Sequence, residues 1–278
     1  MPRQLPLRAV KNTLLHAPPP VRDGVGLALF RGYELYTSLR PGRTRIVEDN
    51  GLPVPPARLR TTVVGYAEPE PFLATGHAEN AMIRDALARA ERPIESLDSL
   101  LDWGCGCGRL TRWLADIDAD VYACDYNGDL VGWVSRNLPF VTATRNDLAP
   151  PLPYGDSVFD FVYALSVFTH LRDDSARAWL AEIKRVLRPD GLFFFTTHGS
   201  GYRYHLSPGD AVRFNAGHSV VQFGSVEGTN LCAAYHPRRW MEGAATDAGL
   251  VVVEVIEAAD VPESERVIGQ DRYLVGRG

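Results

Sequence analysis

Leu100-Leu101-Asp102-Trp103-Gly104-Cys105-Gly106-Cys107-Gly108-Arg109 decides the fold, because an apolar run with the look of a strand breaks there into a turn with glycine at every second position. Glycines stand where the backbone must turn sharply and approach a ligand closely. A dinucleotide loop has the spacing GxGxxG. Counted from Gly104 or Gly106, its last glycine falls on Arg109 or Thr111. The acid at Asp102, two residues before the first glycine, sets a carboxylate at the strand tip. That position favours a cation or an amine and repels a pyrophosphate.

Outward from this loop, strand and helix patterns alternate. Ser99–Trp103, Val121–Asp125, Phe140–Thr144, Phe159–Ser166 and Leu192–Thr197 read as apolar strands. The spacing predicts helices over Arg109–Ile117, Asp129–Leu138 and a segment capped by Asp173 or Asp174, in which Trp179, Leu180, Ile183 and Leu187 share one face. That last helix is expected to end at the turn signal Pro189-Asp190-Gly191. Pro150, Pro151 and Pro153 leave the crossover at 147–158 mostly loop. A helix at Arg238–Ala248 and strands at Val251–Glu257 and Arg272–Val275 close the chain, and the short link between these strands favours antiparallel pairing. The expectation is an α/β fold, a doubly wound and mostly parallel seven-stranded sheet with an antiparallel last strand. Ligand belongs at the carboxyl ends of its parallel strands.

Two more carboxylates fall on successive strand tips. Asp125 ends the second strand, where an acid accepts both hydroxyls of a ribose. Asp147 follows the third, placed to accept from an adenine amino group. Three acids on consecutive tips describe a pocket for a cationic nucleoside.

The stretches LLDWGCGCGRLTRWL (100–114), VYACDYN (121–127), RNDLAPPLPYGDSVFDFVYALSVFTHL (145–171) and EIKRVLRPDGLFFFTTHG (182–199) resemble the class I S-adenosylmethionine-dependent methyltransferases in motif order and spacing, over about residues 98–199. The resemblance implies a Rossmann-like methyltransferase fold with S-adenosyl-L-methionine as cofactor. It also implies that Asp102 and the loop Gly104, Cys105, Gly106 and Gly108 hold the methionine moiety, Asp125 the ribose, and Asp147 with the Leu148 backbone the adenine. Ser166 would lie beside the sulfonium. Tyr126, Phe168 and Trp103 are aromatic neighbours of that site, and one ring face on a sulfonium gains roughly 0.5 to 2 kcal/mol. The flanks Val54–Arg60, Phe72-Leu73, Gly228–His236 and Gly269-Gln270-Asp271 resemble bacterial methyltransferases of small molecules and glycans, which biases the acceptor toward those classes.

Methyl transfer from a sulfonium chiefly asks the protein to position a nucleophile. An alcohol or phenol acceptor wants a general base, an amine or carboxylate none. The candidate bases are His198, directly after the fifth strand, then His170 and His236. Each has a plainer reading as a histidine that braces a turn. No metal site is expected, since Cys105 and Cys107 have no second pair to close a four-ligand shell. The other readings are a non-catalytic S-adenosylmethionine-binding partner subunit and a nicotinamide-dependent oxidoreductase.

Residues 1–79 read as a proline-rich, partly ordered N-terminal extension that helps close the pocket, with one short helix near Leu27–Leu39. Residues 80–278 read as the methyltransferase domain, led by a helix over Glu79–Ala90, with 199–236 as a substrate-side insert. Across 278 residues the net charge is −5, but residues 1–60 hold ten Arg/Lys against four Asp/Glu. The arginines of this basic arm are expected to pair with the chain's own acidic body. Without a basic stripe interleaved with aromatics, a long apolar run or an export signal at the start, neither nucleic acid nor membrane is an expected partner. The expected compartment is the cytoplasm.

Overall fold

The computed structural model describes residues 19–38 and 48–278. The start of the chain and the arm's Arg3, Arg8, Lys11, Arg40, Arg43 and Arg45 lie outside the described residues. Seven strands form the central sheet: β1 (Ser99–Trp103), β2 (Asp120–Asp125), β3 (Val141–Arg145), β4 (Phe159–Ala164), β5 (Leu187–Thr197), β6 (Leu250–Ile256) and β7 (Asp271–Arg277). Their spatial order is β6-β7-β5-β4-β1-β2-β3. Strands β1 to β5 pair in parallel, while β7 is antiparallel to both β5 and β6. The chain order reverses at β1 and β4, which opens a crevice at their carboxyl ends.

Side chains alternate across the sheet as a strand period of two requires. Phe193, Phe195, Tyr273 and Val275 face α5 (Asp173–Val186) and α7 (Arg238–Asp247), where Trp179, Ile183 and Met241 complete one core. Leu192, Phe194 and Leu274 face the other way, onto Met82, Ile83 and Leu87 of α3 (Pro69–Arg89). Ala123 of β2 meets Leu130 and Val134 of α4 (Gly128–Asn137) on that same side. The doubly wound architecture follows from these two apolar faces.

Three local readings are corrected. The expected helix Arg109–Ile117 is a tight turn followed by one 3-10 turn, Thr111–Leu114. Residues 105–112 are buried without interruption, so no face is left for water, and the polar side chains go to tertiary partners. Arg109 pairs with buried Glu79 at 2.5 Å, and Arg112 donates to the carbonyls of Asp49, Leu52 and Pro53. The helix expected to reach Pro189 ends at Val186. Arg188 to Gly191 form a register shift inside β5, held by Arg188 on the Asp160 carboxylate at 2.8 Å. The helix expected at Glu79 begins at Pro69, with proline in its first turn, where a missing N–H costs nothing.

Before the sheet, α1 (Pro19–Ser38) is longer than the short helix read from the sequence, and α2 (Ala57–Val64) leads into α3. Among the arm's described arginines, Arg58 pairs with Asp129 at 3.0 Å. Arg60 is buried and donates instead to the carbonyls of Pro55 and Ala67. The segment 199–236 carries α6 (Pro208–Asn215) and an antiparallel pair, Val220–Gln222 with Ala233–Tyr235.

Candidate functional site

A cavity of about 370 Å³ opens at the carboxyl ends of β1 to β4. Its floor is the glycine loop. Gly104, Gly106 and Gly108 have φ of 78°, 55° and 75°, in the left-handed region that glycine alone enters without cost. A Cβ would overlap Val167 at Gly104, stand 2.8 Å from Val63 at Gly106 and 2.7 Å from Leu138 at Gly108. Backbone conformation and close packing together therefore call for glycine at all three positions.

Asp125 fixes this loop to the end of β2. One carboxylate oxygen accepts from Gly106 N at 3.0 Å and the other from Asn127 N at 2.8 Å. Each oxygen keeps a further lone pair for a ligand. Burial raises its pKa, against the lowering effect of those two N–H donors. Asp147 and Leu148 form the exposed rim beyond β3, and Trp179 fixes the backbone there by donating to Leu148 O at 3.2 Å.

Beyond β4, Ser166 stands at φ 59°, a conformation costly for a side-chain-bearing residue. Its backbone N–H donates to Thr196 Oγ1 at 2.9 Å, and its hydroxyl accepts from Gln270 Nε2 at 2.9 Å. His170 lines the same cavity, with Nδ1 2.7 Å from the Cys232 carbonyl. A carbonyl only accepts, so Nδ1 carries the proton in the neutral ring and Nε2 is the basic nitrogen.

The structure brings Gly104, Gly106, Asp125, Tyr126, Asp147, Leu148, Ser166 and His170 to one cavity. Asp102, Cys105, Gly108, His198 and His236 do not line it. Asp102 lies beneath the loop, 3 % exposed, and accepts from Thr111 Oγ1 at 2.6 Å. Burial, reinforced by Asp125, lifts its pKa to about 6 against the effect of that hydrogen bond. His198 stacks on Tyr202 at 4.3 Å and tilts against Tyr235. His236 is fully buried against Trp240, and burial pushes its pKa down to about 3.

Residues 101–195 match the family model described as a methyltransferase domain. Over these residues the chain is similar to that family. An uncharacterized methyltransferase of Synechocystis sp. is 30% identical over 106 residues, 36% of this chain and 50% of that protein. A probable S-adenosylmethionine-dependent methyltransferase of Mycobacterium tuberculosis is 28% identical over 164 residues, 55% of this chain and 57% of that protein. The chain thus spans about half the length of these curated relatives. The crystal structure of 1,6-didemethyltoxoflavin-N1-methyltransferase from Burkholderia thailandensis, solved with 1,6-didemethyltoxoflavin and S-adenosylhomocysteine, shares the fold. It has a TM-score of 0.52 and 18% identity, covering 74% of this chain and 79% of that one.

The sequence reading missed the walls of the cavity. Leu27 and Arg31 of α1, Thr62 and Val63 of α2, and Asn146 line it alongside the strand tips. The proline-rich start named a lid without naming its residues, whereas the neighbour of Asp147 at the same strand end was a readable signal for Asn146. Of the segment 199–236, Gly228, Thr229 and Asn230 reach the cavity, tied in by Tyr126 OH on Gly228 O at 2.9 Å and Asn230 Nδ2 on Thr62 O at 2.6 Å.

Proposed function

We propose that the chain binds S-adenosyl-L-methionine in this cavity and catalyses methyl transfer to a small-molecule or sugar acceptor. The observation that carries the reading is the convergence of Asp125, Asp147 and the glycine-loop backbone on one cavity of about 370 Å³, within the range of small-ligand sites. The residues present fit such a cofactor. Gly104 and Gly106 line the cavity with bare backbone, and the buried Asn146 Oδ1 has no hydrogen-bond partner among the described residues.

In this assignment Asp125 accepts from the ribose hydroxyls, Asp147 and the Leu148 backbone meet the adenine, and the Gly104–Gly106 backbone meets the methionine moiety. The bound cofactor supplies a methyl carbon already activated by sulfonium charge. Ser166, fixed by Gln270 and Thr196, borders that end of the cavity, and Tyr126 closes it through Gly228. His170 is the histidine of the three candidates placed to hold an acceptor proton at Nε2. Of the N-terminal extension, Leu27, Arg31, Thr62 and Val63 serve as a wall of the site, with 80–278 as the catalytic domain and 199–236 as its acceptor-side roof. Two carboxylates on the cavity favour a cationic nucleoside over a pyrophosphate. Calorimetry tests this: heat is expected with S-adenosylmethionine and S-adenosylhomocysteine, and binding of a nicotinamide dinucleotide in their place overturns the assignment.

A further inference from the structure

The end of α2 and the segment 228–230 meet at the side chain of Asn230. Helix α2 stops at Val64, with Gly65 in the left-handed region at φ 78° and its N–H returning to Thr61 O at 2.8 Å. The last carbonyls of a helix find no partner within it. Here those of Thr62 and Val63 accept from Asn230 Nδ2, at 2.6 and 3.4 Å, so one amide caps a helix that lies 168 residues earlier in the chain. Thr62, Val63, Gly228, Thr229 and Asn230 all line the cavity.

The two halves of this clasp are seated on different parts of the cavity. On one side Val63 lies against the glycine loop, where a Cβ at Gly106 would stand 2.8 Å from it. On the other, Gly228 N donates to His170 O at 3.0 Å and Gly228 O accepts from Tyr126 OH at 2.9 Å. Gly228 has φ of 81°, and a Cβ there would stand 2.5 Å from Leu148 on the rim beyond β3. In the proposed assignment the first place meets the methionine moiety and the second the adenosine, so a ligand that spans both lies beneath the clasp. What the clasp joins is lightly built. Residues 224–230 are one 3-10 turn, Gly224–Val226, followed by loop, and neither they nor α2 belong to the central sheet. Segments of this kind open at a far lower free energy than core strands. We propose that Asn230 is the latch of a cover that must open to admit and release the cofactor, so that it sets the rate of exchange more than the affinity. The proposal rests on the assignment of S-adenosylmethionine to this cavity. Where product release limits turnover, such a latch also limits kcat.

The test is stopped-flow binding of S-adenosylhomocysteine to the full chain, read by the fluorescence of Trp103 and Trp179, which line the cavity. Asn230→Ala removes the latch. It should raise the association and the dissociation rate constants together, each roughly three- to tenfold, the worth of a neutral hydrogen bond. Because both rates pass through the same opening, the Kd should stay within about twofold. Asn230→Asp keeps the shape of the side chain and loses both donors, so it should shift the rates in the same direction, and it decides the matter if the alanine variant fails to fold. A faster dissociation with unchanged association, and a Kd raised in proportion, would make Asn230 a ligand contact and overturn the latch. Unchanged rates in both variants also overturn it, while leaving the cofactor assignment in place. Calorimetry separates the remaining case: if the wild-type chain binds neither S-adenosylmethionine nor S-adenosylhomocysteine, the cofactor assignment fails and the latch fails with it.

Discussion

The Gln270 carboxamide, immediately before β7, donates to the Ser166 hydroxyl at 2.9 Å across 104 residues of chain. The same side chain accepts from Thr196 Oγ1 at 2.6 Å, so one buried amide joins the tips of β4, β5 and β7 and holds Ser166 in its left-handed conformation. Gln270→Ala leaves two hydroxyls short of a partner. It should cost about 1–3 kcal/mol in urea unfolding. Because Gln270 acts through Ser166, it should also lower the rate of methyl transfer more than it raises the KM for cofactor. A variant with wild-type kinetics would assign Gln270 to stability alone.

Asp125→Ala should weaken S-adenosylhomocysteine binding by about 2–3 kcal/mol, the scale of hydrogen bonds to a charged acceptor. Part of that loss comes from the loop, since Asp125 also accepts from Gly106 N and Asn127 N. Asp125→Asn keeps one acceptor oxygen and should fall between the wild type and the alanine variant in calorimetric titration. Equal affinity in all three would remove the ribose assignment.

At Gly104 the φ of 78° and the overlap of any Cβ with Val167 act together. Gly104→Ala should destabilise the fold by roughly 1–3 kcal/mol. Val167→Ala introduced alongside it should recover the steric part but not the backbone part. Urea unfolding of the two single variants and the double closes the cycle. A coupling of zero would show that the loop relaxes away from Val167.

What was legible in the sequence is what repeats. The apolar runs of β1, β2, β4 and β5 and the stripe of Trp179, Leu180 and Ile183 fixed both faces of the sheet, because burial of a strand or helix face leaves a period. The glycine spacing and the acids at Asp125 and Asp147 were readable because they sit at strand ends. The turn after Gly108 was not, since its side chains are spent on Glu79 and on carbonyls near residues 49–53 that no local pattern announces. Asp102 has the right position in sequence yet points beneath the loop to Thr111. The tie from Gln270 to Ser166 is a contact between distant segments, and the motif containing Gln270 carried no indication of its partner.

Asp102 makes the pH dependence of stability specific. Its pKa stands at about 6 in the folded chain, raised from 3.8 chiefly by burial. Between these values the folded state holds more protons than the unfolded one, so stability falls as pH rises from about 4 to about 6, and the loss persists at neutral pH. The shift corresponds to about 3 kcal/mol. Asp102→Asn keeps an acceptor for Thr111 and should flatten this part of the profile in urea unfolding from pH 4 to pH 7. An unchanged slope would mean that the carboxylate is solvated in solution.

His170 and His198 make opposite predictions for the chemistry. His170 lines the cavity with its Nδ1 committed to the Cys232 carbonyl, which directs its basic Nε2 to any proton it takes. His198 is stacked among Tyr202 and Tyr235, outside the cavity lining. With an alcohol or phenol acceptor, His170→Ala should slow single-turnover methyl transfer on the order of a hundredfold or more, leaving S-adenosylhomocysteine affinity within a few-fold. The acidic limb of its pH–rate profile should vanish, since a neutral imidazole must be present to accept the proton. His198→Ala should change the rate only a few-fold. A large loss in His198→Ala with an intact His170→Ala would mean that the acceptor reaches the methyl group from the Tyr202 side of β5. Small effects in both variants, with a flat pH profile, would identify an acceptor that arrives already deprotonated, an amine or a carboxylate.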